Sequence, residues 1–211
     1  VTRFGPGSRV GFLGGGQLAR MMAMEARCMG YRVAVLDPHP DAPAAQIADS
    51  HVTGALDDVD AAVRLARQCD VATLDTEHVP APLLERVERI VPLRPSSRVM
   101  AIIQDRIEQR RFLDALAAPQ VPHAAVTDTG SIKDAGELVG FPAVLKTARS
   151  GYDGKGQVRV RRREDLEDAW QRMDQPRAVL EQLVDFEREV SVLLARDIDD
   201  RIVFHPSAEN V

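Results

Sequence analysis

Lys146 closes a strand-like apolar stretch (141–145) and opens a loop in which Gly151, Gly154 and Gly156 surround a second lysine, Lys155. Another strand-like segment, 157–160, follows at once and begins with Gln157. Glycines permit positive φ and leave backbone N–H groups free to point at an anion. Flanked by two lysines, such a loop reads as a flap over the phosphates of a nucleotide. It is not a Walker loop, because no G-x-x-x-x-G-K-[ST] occurs and a strand rather than a helix comes next. A glycine-rich β-hairpin with a solvated lysine uses the same residues, and the loop alone leaves that open. Tyr152 and Asp153 exceed what a flap needs; they point to contact with an acceptor substrate, or Tyr152 packs to steady the loop.

A second constellation lies near the start. Gly14-x-Gly16-x-x-Ala19 follows the strand-like 9–13, and Asp37 ends the next strand-like run, 31–36. This fits the dinucleotide fingerprint, so an NAD-linked oxidoreductase using Gly14, Gly16 and Asp37 is one reading. The underlying chemistry is only anion binding at a helix N-terminus, and a ribonucleotide's single 5′-phosphate satisfies it equally. A tight βα turn that binds nothing is the third reading. Glu77 follows the apolar run 71–74, where open α/β sheets place ligands; His78 beside it is assigned no role.

The elements that would position these residues alternate. Strand-like 9–13, a helix over 17–29 closed by Gly30, strand-like 31–36, a helix over 57–68, strand-like 71–74 and a helix from Pro80 to 89 predict a parallel sheet with helices on both faces. Prolines and serines at 92–97 mark a boundary, followed by one helical segment, 98–116, broken by Pro119 and Pro122. The predicted architecture is α/β: a Rossmann-like domain over 1–97, a linker helix and small α+β subdomain with the flap over 98–177, and the start of a further subdomain over 178–211. In the last part, strands at 189–195 and 201–205 form a hairpin across the acidic turn 197–200.

The 211 residues carry a net charge of −5, which argues against general nucleic-acid binding, and the arginines of 159–163 read as a solvated strand edge. The two cysteines, Cys28 and Cys69, lack C-x-x-C spacing and are expected as buried thiols in helical stretches of a cytoplasmic protein. No apolar run approaches the roughly 20 residues needed to span a bilayer, so no membrane partner is expected.

The flap wording, Gly151-Tyr152-Asp153-Gly154-Lys155-Gly156-Gln157, resembles that of the ATP-grasp enzymes, and among them the N5-carboxyaminoimidazole ribonucleotide synthases of purine biosynthesis. Gly14-Gly15-Gly16-Gln17-Leu18, Glu77-His78-Val79-Pro80, Gln104-Asp105-Arg106, Glu181-Gln182-Leu183-Val184 and Glu189-Val190-Ser191 agree with the same family in its order. The resemblance implies ATP contacts from Arg106, Lys146, the flap, Glu181, Gln182, Leu183, Val184 and Glu189, with Glu181–184 offering backbone to adenine and Glu189 holding ribose hydroxyls. It implies substrate contacts from Gly15, Gly16, Gln17, Leu18 and Glu77, and catalytic roles for Tyr152, Asp153 and Lys155. The implied reaction joins bicarbonate to aminoimidazole ribonucleotide through carboxyphosphate with ATP and magnesium, in an enzyme that commonly forms homodimers.

Some positions depart from the family pattern. Ser150 replaces a glycine, Leu74-Asp75 stands where an aromatic-Glu pair is usual, and Arg110 replaces a lysine with different geometry. The family's domain continues past Val211, and its magnesium carboxylates lie in that continuation. The resemblance therefore implies a chain that stops inside the ATP-grasp domain, offers no metal ligands of its own and does not turn over alone.

Overall fold

A computed structural model of the chain describes residues 3–149, 151, 155–174 and 176–210. These form two compact units, one of residues 4–120 with the described part of 147–156, the other of residue 3, 121–146 and 157–210.

In the first unit, apolar runs form the strands β1 (Arg9–Leu13) and β2 (Arg32–Asp37), with the helix α1 (Gln17–Cys28) between them. β3 (Ser50–Thr53), α2 (Val59–Ala66), β4 (Val71–Leu74), α3 (Ala81–Glu88), α4 (Ser97–Ile103) and α5 (Arg106–Ala115) follow. The sheet order is β3-β2-β1-β4, and every pairing is parallel. Strand side chains alternate between faces. Phe12, Val33 and Val35 thus meet Ala19, Ala23 and Ala26 of α1, while Leu13, Ala34 and Leu36 join Leu65, Leu84 and Val87 on the other side. Coverage of both faces is what a parallel sheet requires, and it bears out the α/β expectation. At Gly11 the backbone is so close to the segment after α2 that a Cβ would lie 2.7 Å from Cys69 Sγ.

Three sequence expectations are modified here. β3 was not foreseen, since only Val52 of that short strand is buried. The helix expected over 98–116 is two helices: Asp105 leaves helical geometry (φ −133°, ψ 112°), and its carboxylate accepts the Ile107 N–H at 3.0 Å, starting α5 afresh. Met100 of α4 is buried in the same core as Val87 and Leu93, so the expected boundary at 97 falls inside this unit. The thiols also differ from expectation. Cys28 is exposed, because α1 buries only its alanine stripe, and Cys69 is partly buried beyond the end of α2.

The second unit contains β5 (His123–Val126), α6 (Thr129–Val139), β6 (Ala143–Thr147), β7 (Gln157–Val160), α7 (Leu166–Arg172) and β8 (Ala178–Gln182). The sheet order is β5-β8-β6-β7, with β5–β8 and β6–β7 antiparallel. A capping box begins α6: Asp128 Oδ1 accepts the Ser131 N–H at 2.7 Å, and Ser131 Oγ accepts the Asp128 N–H at 2.9 Å. Ile132, Val139, Leu166 and Trp170 from α6 and α7 close over Leu145, Val160 and Leu180 of the sheet. The Trp170 indole N–H donates to the Pro176 carbonyl at 2.8 Å.

The chain then runs into short antiparallel pairs, β9 (Glu189–Ser191) with β12 (Ala208–Asn210) and β10 (Leu194–Arg196) with β11 (Ile202–Phe204). The expected hairpin across 197–200 is present, held by Asp197 Oδ1, which accepts the Asp199 and Arg201 N–H groups. The expected strand 189–195 is interrupted at residues 192–193. Val190, Leu194, Val203 and Phe204 are exposed there. Among the described residues, no helix is long and apolar enough to cross a membrane.

Burial pushes the Cys69 thiol up to about 11, leaving about one part in a thousand as thiolate at pH 8. A chromogenic disulfide reagent is expected to titrate Cys28 promptly in the native chain and Cys69 only after unfolding; two fast thiols would contradict this packing. Ile132→Ala should destabilise the second unit by about 2–5 kcal/mol. Denaturation followed by the fluorescence of Trp170, the only tryptophan, reads that core directly.

Candidate functional site

The glycine turn between β1 and α1 is built by close approach. Gly14 has φ +101° and donates its N–H to the Leu36 carbonyl at 2.9 Å, and a Cβ there would fall 1.7 Å from Asp75 Oδ1. The Gly15 N–H donates to Asp37 Oδ2 at 2.9 Å and the Gly16 N–H to Asp75 Oδ2 at 2.8 Å. Asp37 Oδ1 also accepts the His39 N–H at 2.9 Å. The acid that a dinucleotide site would aim at a ribose is therefore turned back onto its own loop. Burial raises the Asp75 carboxyl above the usual carboxylate range, the Gly16 and Ala19 N–H groups oppose the rise, and the charge on Asp37 adds to it. Gln17 and Leu18, in the first turn of α1, are exposed.

Gln104, Asp105 and Arg106, between α4 and α5, hold two functional loops. Gln104 Nε2 donates to the carbonyls of Glu77 at 2.8 Å and Val79 at 2.7 Å. Asp105, 1 % exposed, caps α5 and receives Arg149 Nε at 3.1 Å. The Arg106 N–H donates to the Ala148 carbonyl at 2.8 Å, and its guanidinium donates to the carbonyls of Thr147, at 2.8 Å, and Gly151. The three residues thus tie the Glu77 loop and the base of the flap to one helix junction. Between those loops lies a cleft of about 380 Å³ lined by Glu77, His78, Gln104, Arg106, Arg149 and Gly151, among others. Thr147 Oγ1 at the flap base is buried without a hydrogen-bond partner among the described residues. Sequence reasoning gave Arg106 a nucleotide contact and no role to Asp105 or Arg149. The signal available for Asp105 was its position as a helix-capping residue three before Glu108.

In the second unit, Lys146 is the last residue of β6 paired with β7, opposite Gln157, so the flap grows from a hairpin stem. Lys146 Nζ lies 2.7 Å from Glu181 Oε2, with 6 % of the Glu181 side chain exposed and 30 % of the lysine's. At the end of β8 the Gln182 N–H donates to the Pro122 carbonyl at 2.9 Å, and just past it the Leu183 N–H donates to that of Pro142 at 3.0 Å. Val184 is exposed. Glu189 is also exposed, on β9, where it accepts Asn210 Nδ2 at 2.9 Å. Lys155 and Gly156 complete the flap, the Gly156 carbonyl accepting the Thr147 N–H at 2.8 Å. Tyr152, Asp153 and Gly154, with Ser150 and Val211, lie outside the described residues.

Arg110 donates to Gln120 Oε1 at 2.9 Å within the first unit. Among the described residues, no group of three or more His, Cys, Asp or Glu side chains is arranged to hold a metal ion.

A ribonucleotide synthetase preATP-grasp domain model matches residues 8–104, and an ATP-grasp domain model matches residues 111–211. The N5-carboxyaminoimidazole ribonucleotide synthase of Bacillus subtilis is 35 % identical over 206 residues, covering 98 % of this chain and 54 % of that protein. The Staphylococcus aureus N5-carboxyaminoimidazole synthetase crystallised with ADP superposes with a TM-score of 0.94 at 32 % identity, over all of this chain and 57 % of that one. The Aspergillus clavatus synthase in complex with ADP and 5-aminoimidazole ribonucleotide gives 0.87 at 31 % identity, over 97 % and 54 % respectively. This chain spans about half the length of the curated synthases it matches. The parallel sheet thus lies in the segment that matches a preATP-grasp domain, and the antiparallel sheet and glycine flap in the segment that matches an ATP-grasp domain, in a chain similar over nearly its whole length to the N5-carboxyaminoimidazole ribonucleotide synthases.

Proposed function

We propose that this chain binds ATP and aminoimidazole ribonucleotide and serves the ATP-dependent carboxylation of that ribonucleotide with bicarbonate. The products are N5-carboxyaminoimidazole ribonucleotide, ADP and phosphate, in purine biosynthesis. The observation that carries the reading is the hairpin stem ending in Lys146, paired with the buried Glu181 and leading directly into the glycine flap. A lysine at a strand end is a point charge suited to phosphate oxygens, and Glu181 fixes where that charge stands.

Each candidate takes a part in this reading. Lys146, Lys155 and the flap glycines hold the phosphates, and Glu181 to Val184 meet the nucleobase. Glu189 takes the ribose hydroxyls. Arg106 acts by holding the flap base at the Thr147 and Gly151 carbonyls. The acceptor contacts are assigned to Tyr152 and Asp153, and flap closure excludes water from the labile carboxyphosphate. Gly15, Gly16, Gln17, Leu18 and Glu77 bind the ribonucleotide. Magnesium, when bound, would neutralise phosphoryl charge; the described residues contain no cluster to hold it. A cytoplasmic homodimer is the setting that the reading carries. The oxidoreductase reading loses its support because both Asp37 oxygens are engaged by backbone N–H groups.

Lys146→Ala removes a charge-assisted contact of about 1.5–3 kcal/mol, so ATP binding measured by calorimetry should weaken roughly 10- to 150-fold. Unchanged affinity in a variant with wild-type circular dichroism would remove Lys146 from the site. Gly15→Val is a poor probe of the substrate turn, because even a Cβ there would lie 2.9 Å from Asp37 Cβ and 3.0 Å from Val35 Cγ1. Gln17→Ala at an exposed position is cleaner. Loss of a neutral hydrogen bond should weaken aminoimidazole ribonucleotide roughly 2- to 10-fold and leave ATP affinity unchanged. Micromolar NADH binding, with no binding of ATP, would defeat the proposed function as a whole.

A further inference from the structure

Between β4 and α3 the chain turns at Glu77 and His78, both exposed, and then buries Val79 completely in the core of the first unit. The turn lies outside helix and strand, so no ladder holds its backbone. The carbonyls of Glu77 and Val79, one on either side of His78, accept instead from Nε2 of Gln104, at 2.8 and 2.7 Å. A primary amide nitrogen carries two N–H donors, and here both are directed at one turn.

Gln104 stands on a fixed base. It caps the C-terminus of α4, its backbone N–H donates to the Met100 carbonyl at 3.0 Å, and Met100 is buried in the same core as Val79. Asp105 and Arg106 follow at once and serve the flap base, through Arg149 and through the carbonyls of Thr147, Ala148 and Gly151. Consecutive residues of one junction are thus divided between the two walls of the cleft. The Gln104 bonds engage backbone carbonyls only, so the bracing does not use the Glu77 carboxylate. A side chain on an exposed turn binds a ligand well when the turn is already in place, because ordering it on binding subtracts from affinity.

We propose that Gln104 is a positioning residue for the ribonucleotide: its two amide bonds hold the Glu77 turn in its binding conformation, and they act on that substrate without acting on ATP. This rests on the reading of Glu77 as substrate-binding. The separation follows from the division of labour at the junction, where the donor to the Glu77 turn and the donors to the flap base belong to different residues.

Gln104→Met keeps the length and bulk of the side chain and removes both donors. Calorimetric titration of the chain, its fold checked by circular dichroism, should show aminoimidazole ribonucleotide weakened roughly 5-fold or more and ATP affinity unchanged. Gln104→Glu, which sets a carboxylate against two carbonyl oxygens, should weaken the ribonucleotide further. Equal losses for the two ligands would mean that the residue only holds the α4–α5 junction together, and would overturn the proposal. Unchanged ribonucleotide affinity in a folded Gln104→Met chain would overturn it while leaving the substrate reading of Glu77 intact. If neither variant folds, the ¹⁵N-labelled wild-type chain decides. The Gln104 side-chain amide signals should exchange slowly with solvent and shift saturably with the ribonucleotide, whereas a response to ATP alone would overturn the proposal. A wild-type chain that binds ATP and no ribonucleotide would defeat the substrate reading, and the proposal with it.

Discussion

The first unit's functional loops depend on the buried carboxylate of Asp105. It starts α5 by accepting the Ile107 N–H, and it receives Arg149 from the flap base. A carboxylate this enclosed is stable as a charge only when hydrogen-bonded and paired. Here the pairing does structural work: it fixes the point at which the helical path breaks. That break turns Gln104 toward the Glu77 loop and Arg106 toward the carbonyls of Thr147 and Gly151. An unbroken helix would have placed the three residues on successive bearings around one axis. Separated by a junction, they brace two loops at once. The nucleotide-contacting role expected for Arg106 is thereby joined by a mechanical one.

The two glycine-rich segments are anchored in different ways. The flap grows from a hairpin, so its glycines lie between fixed strand ends, and Lys146 at one of those ends is held by Glu181. The turn before α1 is closed, its N–H groups satisfied and its glycines required by contact with Asp75 and Asp37. Lack of bulk is needed in the turn and also at Gly151 of the flap, where a Cβ would lie 2.9 Å from the Lys155 carbonyl oxygen, whereas Gly156 supplies a positive φ of 68°. The same residue type in a sequence therefore does not announce which property is being used.

Much of the architecture was legible because it rests on local rules. Continuous apolar strands and helix-stop glycines gave β1, α1, β2 and the parallel sheet, and the hairpin at 197–200 followed from its acidic turn. What escaped depended on distant partners. β3 buries one side chain and pairs through backbone, so its composition says little. The division at Asp105 was hidden because apolar spacing continues on both sides of it. Cys28 was placed in the core because its neighbours are apolar, yet α1 buries alanines and leaves Met21, Met22 and Met24 exposed. At the candidate site, Lys146 and the glycine loops stand out by residue type, and Glu181 only through the family resemblance. The roles of Asp75 and Asp37 could emerge only once strands far apart in sequence had brought them to the same turn.

The contact between Gly11 and Cys69 carries a consequence for how such chains can vary. Gly11 lies mid-strand in β1, and the space a methyl group would need there is held by a sulfur from the end of α2. Interiors are packed too densely to absorb an added carbon without a neighbour yielding. The two positions, remote in sequence, therefore share one fixed volume. Bulk at position 11 is admissible only where position 69 gives it up, so drift at either site is constrained by the residue present at the other.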